Sequence, residues 1–135
     1  MDIIELSREI GRKLQEDKRY INLKVAQQNS DNDSALQDLI GEFNLKRMAI
    51  NNEAGKEDRD EKKIESLNHE IRDLYTEIMA NESMMKYNNA KNEFDYLVKR
   101  INAIIMQSAE GEDPNTTDLQ ESACSGSCSS CSGCH

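Results

Sequence analysis

The residues best equipped for chemistry close the chain: Cys124, Cys128, Cys131, Cys134 and His135, spaced C-x3-C-x2-C-x2-C-H with only Ser and Gly between them. Thiolates are soft metal ligands, and small spacers let the backbone curl tightly enough for several sulfurs to converge on one centre. Cys128, Cys131 and Cys134 form a C-x2-C-x2-C run, the spacing by which three thiolates grip one face of a cubane iron–sulfur cluster of the 4Fe–4S type. Cys124 folding back, His135, or a ligand from a second subunit can supply the fourth contact. Zinc is the competing metal, but structural zinc sites usually take two ligand pairs separated by a longer loop, which this run lacks. Two further readings stay open: a thiol-redox arm whose neighbouring cysteines pair as disulfides, and a tail that carries no ligand.

These are all the cysteines in the chain. Free cysteine is among the most buried residue types, so a body without a single thiol separates the soft-ligand chemistry from the core. The composition of the whole chain is helical in character: 32% charged, 36% hydrophobic, no Trp and one Pro. A net charge of −9 argues against direct nucleic-acid binding, which relies on clustered Lys and Arg. Much of the excess lies just before the cysteines, where Glu110, Glu112, Asp113, Asp118 and Glu121 have no Lys or Arg among them. The N-terminal Met-Asp-Ile-Ile-Glu-Leu-Ser lacks the basic flank and apolar run of a signal peptide. No stretch approaches the ~20 apolar residues of a membrane span. A cytoplasmic, reducing compartment is therefore expected, where clustered cysteines serve metal or redox chemistry more often than structural disulfides.

The elements that must position the arm can be read from apolar periodicity. Asp2 is expected to cap a first helix bearing Ile3, Leu6, Ile10 and Leu14 on one face. Charge interrupts the stripe at Glu16-Asp17-Lys18, and Asp17 is a second candidate cap, leaving one bent helix or two. Asn29–Ser34 reads as a turn, before a helix with Leu36, Ile40, Phe43 and Ile50, which Gly55 is expected to end in a left-handed conformation. Two long helices come next. Ile64, Leu67, Ile71, Leu74 and Ile78 form one seam; after a cap at Asn81, Tyr87, Phe94, Leu97, Ile101 and Ile104 form another. The fold expected is all-α, a bundle of four to five helices over 1–108 ending in a long antiparallel hairpin. Beyond it are expected an acidic flexible linker over 109–123 and a disordered Cys-rich tail over 124–135. The two seams are either an intramolecular core or an interface with a second copy or a partner.

Other candidates for chemistry are weak. His69 lies off the apolar stripe and reads as a surface residue. The six methionines read as gap-filling core or interface residues. There is no phosphate loop, nucleophile elbow or pair of histidines one helical turn apart, so no catalytic residue is assigned and the chain is not expected to be an enzyme.

Several segments in order resemble the YlbF/YmcA family of small helical bacterial regulators: the charged break at Glu16–Tyr20, Leu36-Gln-Asp-Leu-Ile-Gly-Glu-Phe43-Asn, the turn Asn81-Glu-Ser-Met84-Met-Lys-Tyr87, and the cysteine tail. Glu82 stands where that family often has proline. The resemblance implies an all-α protein that self-associates and joins related subunits in a heteromeric complex. It further implies an iron–sulfur cluster with ligands drawn from more than one subunit. RNA maturation through an endoribonuclease, and control of competence, biofilm and sporulation, are also implied. A stand-alone zinc-binding, metal-delivery or thiol-redox protein on a dimeric helical handle is the alternative.

Overall fold

The computed structural model describes residues 1–120, which contain five helices: α1 (Ile3–Glu16), α2 (Lys18–Asp31), α3 (Ser34–Ala54), α4 (Glu61–Ala80) and α5 (Glu82–Ala109). Met1–Phe94 form one compact unit, and the chain from Asp95 onward forms a second. Cys124, Cys128, Cys131, Cys134 and His135 lie outside the described residues. The all-α class and the five-helix count agree with the sequence reading.

Carboxylate caps start the first four helices, and a side-chain amide starts the fifth. Asp2 accepts from the Glu5 amide at 2.8 Å and Asp17 from the Arg19 amide at 2.8 Å. Asp60 accepts from the amides of Lys62 and Lys63. Each satisfies donors that the first helical turn leaves without partners. Asp17 is extended, with φ −70° and ψ 142°, so α1 and α2 are two helices. α2 continues through the first half of the expected turn to Asp31, and Asp33 is the residue that caps α3.

In the first unit, α3 and α4 form the closest helix pair. Lys46 Nζ meets Glu70 Oε2 at 2.9 Å and Lys63 Nζ meets Glu53 Oε1 at 3.2 Å. As one partner advances from 46 to 53 the other retreats from 70 to 63, so the pair is antiparallel. The expected hairpin of α4 with α5 is therefore corrected to α3 with α4. Only Asn81 separates α4 from α5, and helix connections in bundles normally take ~2–8 residues. A single extended residue redirects the chain without leaving slack to fold one helix back along the other.

The loop of the real hairpin, residues 55–60, closes on a buried carboxylate. Glu53 accepts the Asp60 amide at 3.2 Å and lies 3.5 Å from Lys56 Nζ as well as 3.2 Å from Lys63 Nζ. Burial of a charge is tolerated when it is paired and hydrogen-bonded in this way. With the loop held through Glu53, Gly55 needs no left-handed turn, and its φ is −79°. The left-handed glycine instead lies in the second unit.

A second polar junction joins the α2–α3 corner to the α4–α5 corner. Asp33 accepts the Leu36 amide at 3.1 Å and the Asn81 side-chain amide at 3.3 Å. Asn81 in turn accepts the Met84 amide at 3.0 Å, capping α5. Glu82 thus occupies the first helical position, where a proline is readily accommodated because its missing N–H has no intrahelical role. Leu36 has no exposed surface, and Ala26, Leu74 and Ile78 are the other buried apolar residues among those described. Phe94, at the end of this unit, meets Tyr20 edge to face with centroids 5.8 Å apart.

In the second unit, α5 ends in a Schellman turn. Glu112 donates to the Gln107 carbonyl and Gly111 to the Ser108 carbonyl, with Gly111 at φ +98°, the left-handed conformation that glycine adopts without steric cost. Asp113 accepts the Asn115 amide at 2.9 Å, tightening the next turn. The chain then returns to α5.

Leu36→Ala is expected to cost about 2–5 kcal/mol, because it empties a fully buried site. Asn81→Ala should cost about 1 kcal/mol through loss of the α5 cap. Urea unfolding monitored by far-ultraviolet circular dichroism measures both. Asp33 is held below the ordinary carboxylate range, mainly by the Leu36 amide. Glu53 is held low mainly by the Asp60 amide, against burial, which pushes it up. Carboxylates with a depressed folded pKa stabilise the fold above their unfolded value and lose that contribution as pH falls through the folded one. Thermal stability should therefore decline on acidification below about pH 4.5, with a shallower decline in Glu53→Gln.

Candidate partner interface and cysteine-arm anchor

The ten apolar positions read as partner-binding are used unequally by the fold. Leu74 and Ile78 are buried in the core, at 8% and 7% exposure, and are spent on intramolecular packing. Ile64, Leu67 and Ile71 are half-buried. Ile71 shares a shallow cleft with Phe43 and Ile50 of α3. Tyr87 is half-buried, and so is Phe94, which uses its ring against Tyr20. In the second unit Leu97, Ile101 and Ile104 are all half-buried. Within α4, the core and interface readings thus divide along its length: the end towards Ile78 is core, and the end towards Ile64 keeps apolar surface accessible.

The strongest exposure lies elsewhere. Ile3, Ile4 and Leu6 of α1 are 79%, 61% and 51% exposed, whereas Ile10 and Leu14 farther along are half-buried. On α3, Leu45 and Met48 are exposed as well. Five of the six methionines are exposed, the exception being the half-buried Met84, which corrects the core half of the core-or-interface expectation. Periodicity identifies the α1 stripe but cannot show that its first two turns lack a cover, because an amphipathic helix has the same pattern in either case.

A groove of about 610 Å³ runs between α2 and the first turns of α5, with Val25, Ala26 and Ala90 among polar neighbours such as Asn22, Asn29 and Asn89. Its lysine, Lys86, pairs with Glu82 at 3.0 Å. Glu53 is the buried acid of the first unit, and the contacts that hold it as an anion make it a poor proton acceptor at neutral pH. His69 is exposed and lies 3.8 Å from Asp73, as its position off the stripe predicts. Among the described residues, no group of three His, Cys, Asp or Glu side chains is placed to hold a metal ion.

The approach to the cysteine arm is more structured than its composition suggests. Arg100 grips Asp118 with a fork: Nε to Oδ1 at 2.9 Å and Nη2 to Oδ2 at 2.6 Å. Gln107 donates its side-chain amide to the Asp118 carbonyl at 2.9 Å, and the Leu119 amide donates to the Asp118 carboxylate. Asp118 is held below the ordinary aspartate range, first by the Arg100 guanidinium and then by the Leu119 amide; Arg100 is pushed up by the same pairing. Asp118 therefore does have a basic partner, supplied by α5 rather than by its own acidic stretch. Composition could not reveal it, because the two residues are eighteen apart in sequence and meet only once Gly111 reverses the chain.

Among the described residues no helix is long and apolar enough to cross a membrane. No curated protein and no solved structure matches the chain significantly. The sequence model of one family, described as control of competence regulator ComK, YlbF/YmcA, matches residues 3–109, from the first residue of α1 to the last of α5. With that match spanning every helix, the chain belongs to the YlbF/YmcA family of competence-related regulators.

Proposed function

We propose that the protein is a non-enzymatic regulatory adaptor. Its helical body associates with itself or with paralogous helical subunits, and its arm contributes thiolates to a shared iron–sulfur cluster, with a 4Fe–4S cluster favoured. The observation that carries this reading is the complete separation of Cys124, Cys128, Cys131 and Cys134 from a thiol-free body in a member of a competence-related regulatory family. The donor set suits such a cluster: three thiolates in C-x2-C-x2-C spacing, with Cys124 and His135 available to complete the ligation or to leave one position to another subunit. A bound cluster would supply sensitivity to iron and to oxidation.

The body supplies the means of association. Ile64, Leu67 and Ile71 in the first unit, and Leu97, Ile101 and Ile104 in the second, keep accessible apolar surface at helix-pairing spacing. The family resemblance extends the proposal to a cytoplasmic complex linked to an endoribonuclease, acting in RNA maturation and in competence, biofilm formation and sporulation. The net charge of −9 favours action through protein partners over direct contact with RNA.

Anaerobic purification of the full chain, alone and with a paralogous subunit, tests the reading. Iron and acid-labile sulfide in at least one preparation are expected. Cys131→Ser should remove the visible absorbance while leaving helicity unchanged, because none of the five helices contains a cysteine. Absence of both iron and sulfide from both preparations overturns the cluster. Stoichiometric zinc without a chromophore, or reversible disulfide formation without a partner, supports instead a zinc-binding or thiol-redox arm on a helical handle.

A further inference from the structure

We infer that α1 of one copy docks antiparallel on the outer face of α3 of a second copy, with apolar side chains meeting at one end and opposite charges at the other. Both faces are exposed in the first unit. On α1, Ile3 and Ile4 stand in solvent, and Ile4, Arg8 and Gly11 follow at steps of four and three, which places them on one side of the helix. α3 turns Leu36, Phe43 and Ile50 inward. Its opposite side presents Asp38, Gly41, Glu42, Leu45 and Met48, all of them exposed.

The order of chemistry along the two helices sets their relative direction. α1 has its apolar pair first and Arg8 and Arg12 after it; α3 has its carboxylates first and its apolar pair after them. Only an antiparallel arrangement matches both. With Ile4 against Leu45 and Met48, each step forward on α1 is a step back on α3, so Gly11 comes opposite Gly41. Arg8 then falls beside Glu42 and Arg12 beside Asp38, on the same edge of the contact. A Cβ added at Gly11 or at Gly41 meets nothing within 4 Å, so the two backbones are open to close approach where the helices cross. Among the described residues, the side chains of Arg8, Asp38 and Glu42 have no ionic or hydrogen-bond partner. Arg12 pairs with Glu9 at 2.9 Å in its own helix, an exposed pair of the kind that contributes little and can be exchanged.

A second copy offers each face to the other's, so the contact forms twice in a closed pair. Ile3, Ile4, Leu45 and Met48 from each copy, at about 100 Å² apiece, contribute ~800 Å². The charged edge and the glycine crossing extend this towards the ~1,200 Å² at which specific interfaces begin. The inference rests on the self-association in the functional reading above, gives it a surface distinct from the seams of α4 and α5, and requires no cluster.

Sedimentation equilibrium of the full chain, kept reduced and with a chelator present, tests the contact through its charges. The parent is expected to be dimeric at about 100 μM. Arg8→Glu and Glu42→Arg should each weaken the dimer about tenfold at low salt, since each turns two attractive pairs into repulsive ones. Both positions are exposed, so helicity should not change. The double variant, and an equal mixture of the two single variants, should recover the parent affinity, because either combination restores opposite charges at both contacts. A monomeric parent, single variants that associate as the parent does, or single variants that neither combination rescues would each overturn the inference. A dimer indifferent to both substitutions but lost in Ile64→Glu also overturns it, while leaving association through the seams in place. Iron and sulfide analysis decides the cluster separately.

Discussion

Asp33 is the point on which the first unit depends. A single carboxylate begins α3 by taking the Leu36 amide and reaches across forty-eight residues to the side chain of Asn81. Asn81 itself begins α5. Two helix starts consequently share one chain of hydrogen bonds, and Leu36, the residue whose amide Asp33 caps, is also fully enclosed. Few apolar side chains are buried elsewhere, so this corner combines the best-protected hydrophobic contact with the longest-range polar one. Hydrogen bonds of this type are modest individually. Their importance here lies in specifying which corners meet, in a unit where few apolar side chains among the described residues are fully buried.

Glu53 performs the corresponding role for the α3–α4 hairpin, with different chemistry. It is a buried anion held by one amide and two ammonium groups, so it fixes the loop length and the register of the pair together. That register decides which part of the α4 seam becomes core. Leu74 and Ile78 lie at the end of α4 near Asn81, close to the Asp33 corner, and they are buried; the opposite end keeps its apolar positions half-exposed. A uniform stripe in sequence is thereby divided into a structural part and an accessible part.

The helices and their caps were readable from local signals: Asp2, Asp17 and Asn81 each fall where a short polar side chain precedes an apolar stripe, and each caps a helix. The pairing of helices was not. Ile64–Ile78 and Tyr87–Ile104 have matching periodicity, which suggests a common hairpin, yet periodicity contains no information about partner choice. The one-residue joint at Asn81 was the better guide, since it makes reversal between α4 and α5 difficult. Gly55 shows the same limit: its type permits a left-handed turn, while the contacts of Glu53 determine that none is required. Of the candidate site, the ligand types and their spacing are explicit in the sequence, whereas the Arg100–Asp118 contact arises only from tertiary geometry.

The reversal at Gly111 divides the acidic stretch into two lengths of chain with different freedom to change through evolution. Insertions or deletions between Gly111 and Asp118 alter the path that brings the carboxylate back to Arg100. Insertions after Leu119 leave the contact in place and lengthen only the segment between it and the first cysteine. The acidic stretch is thus not a uniform spacer: its part from Gly111 to Asp118 has a defined path back to α5.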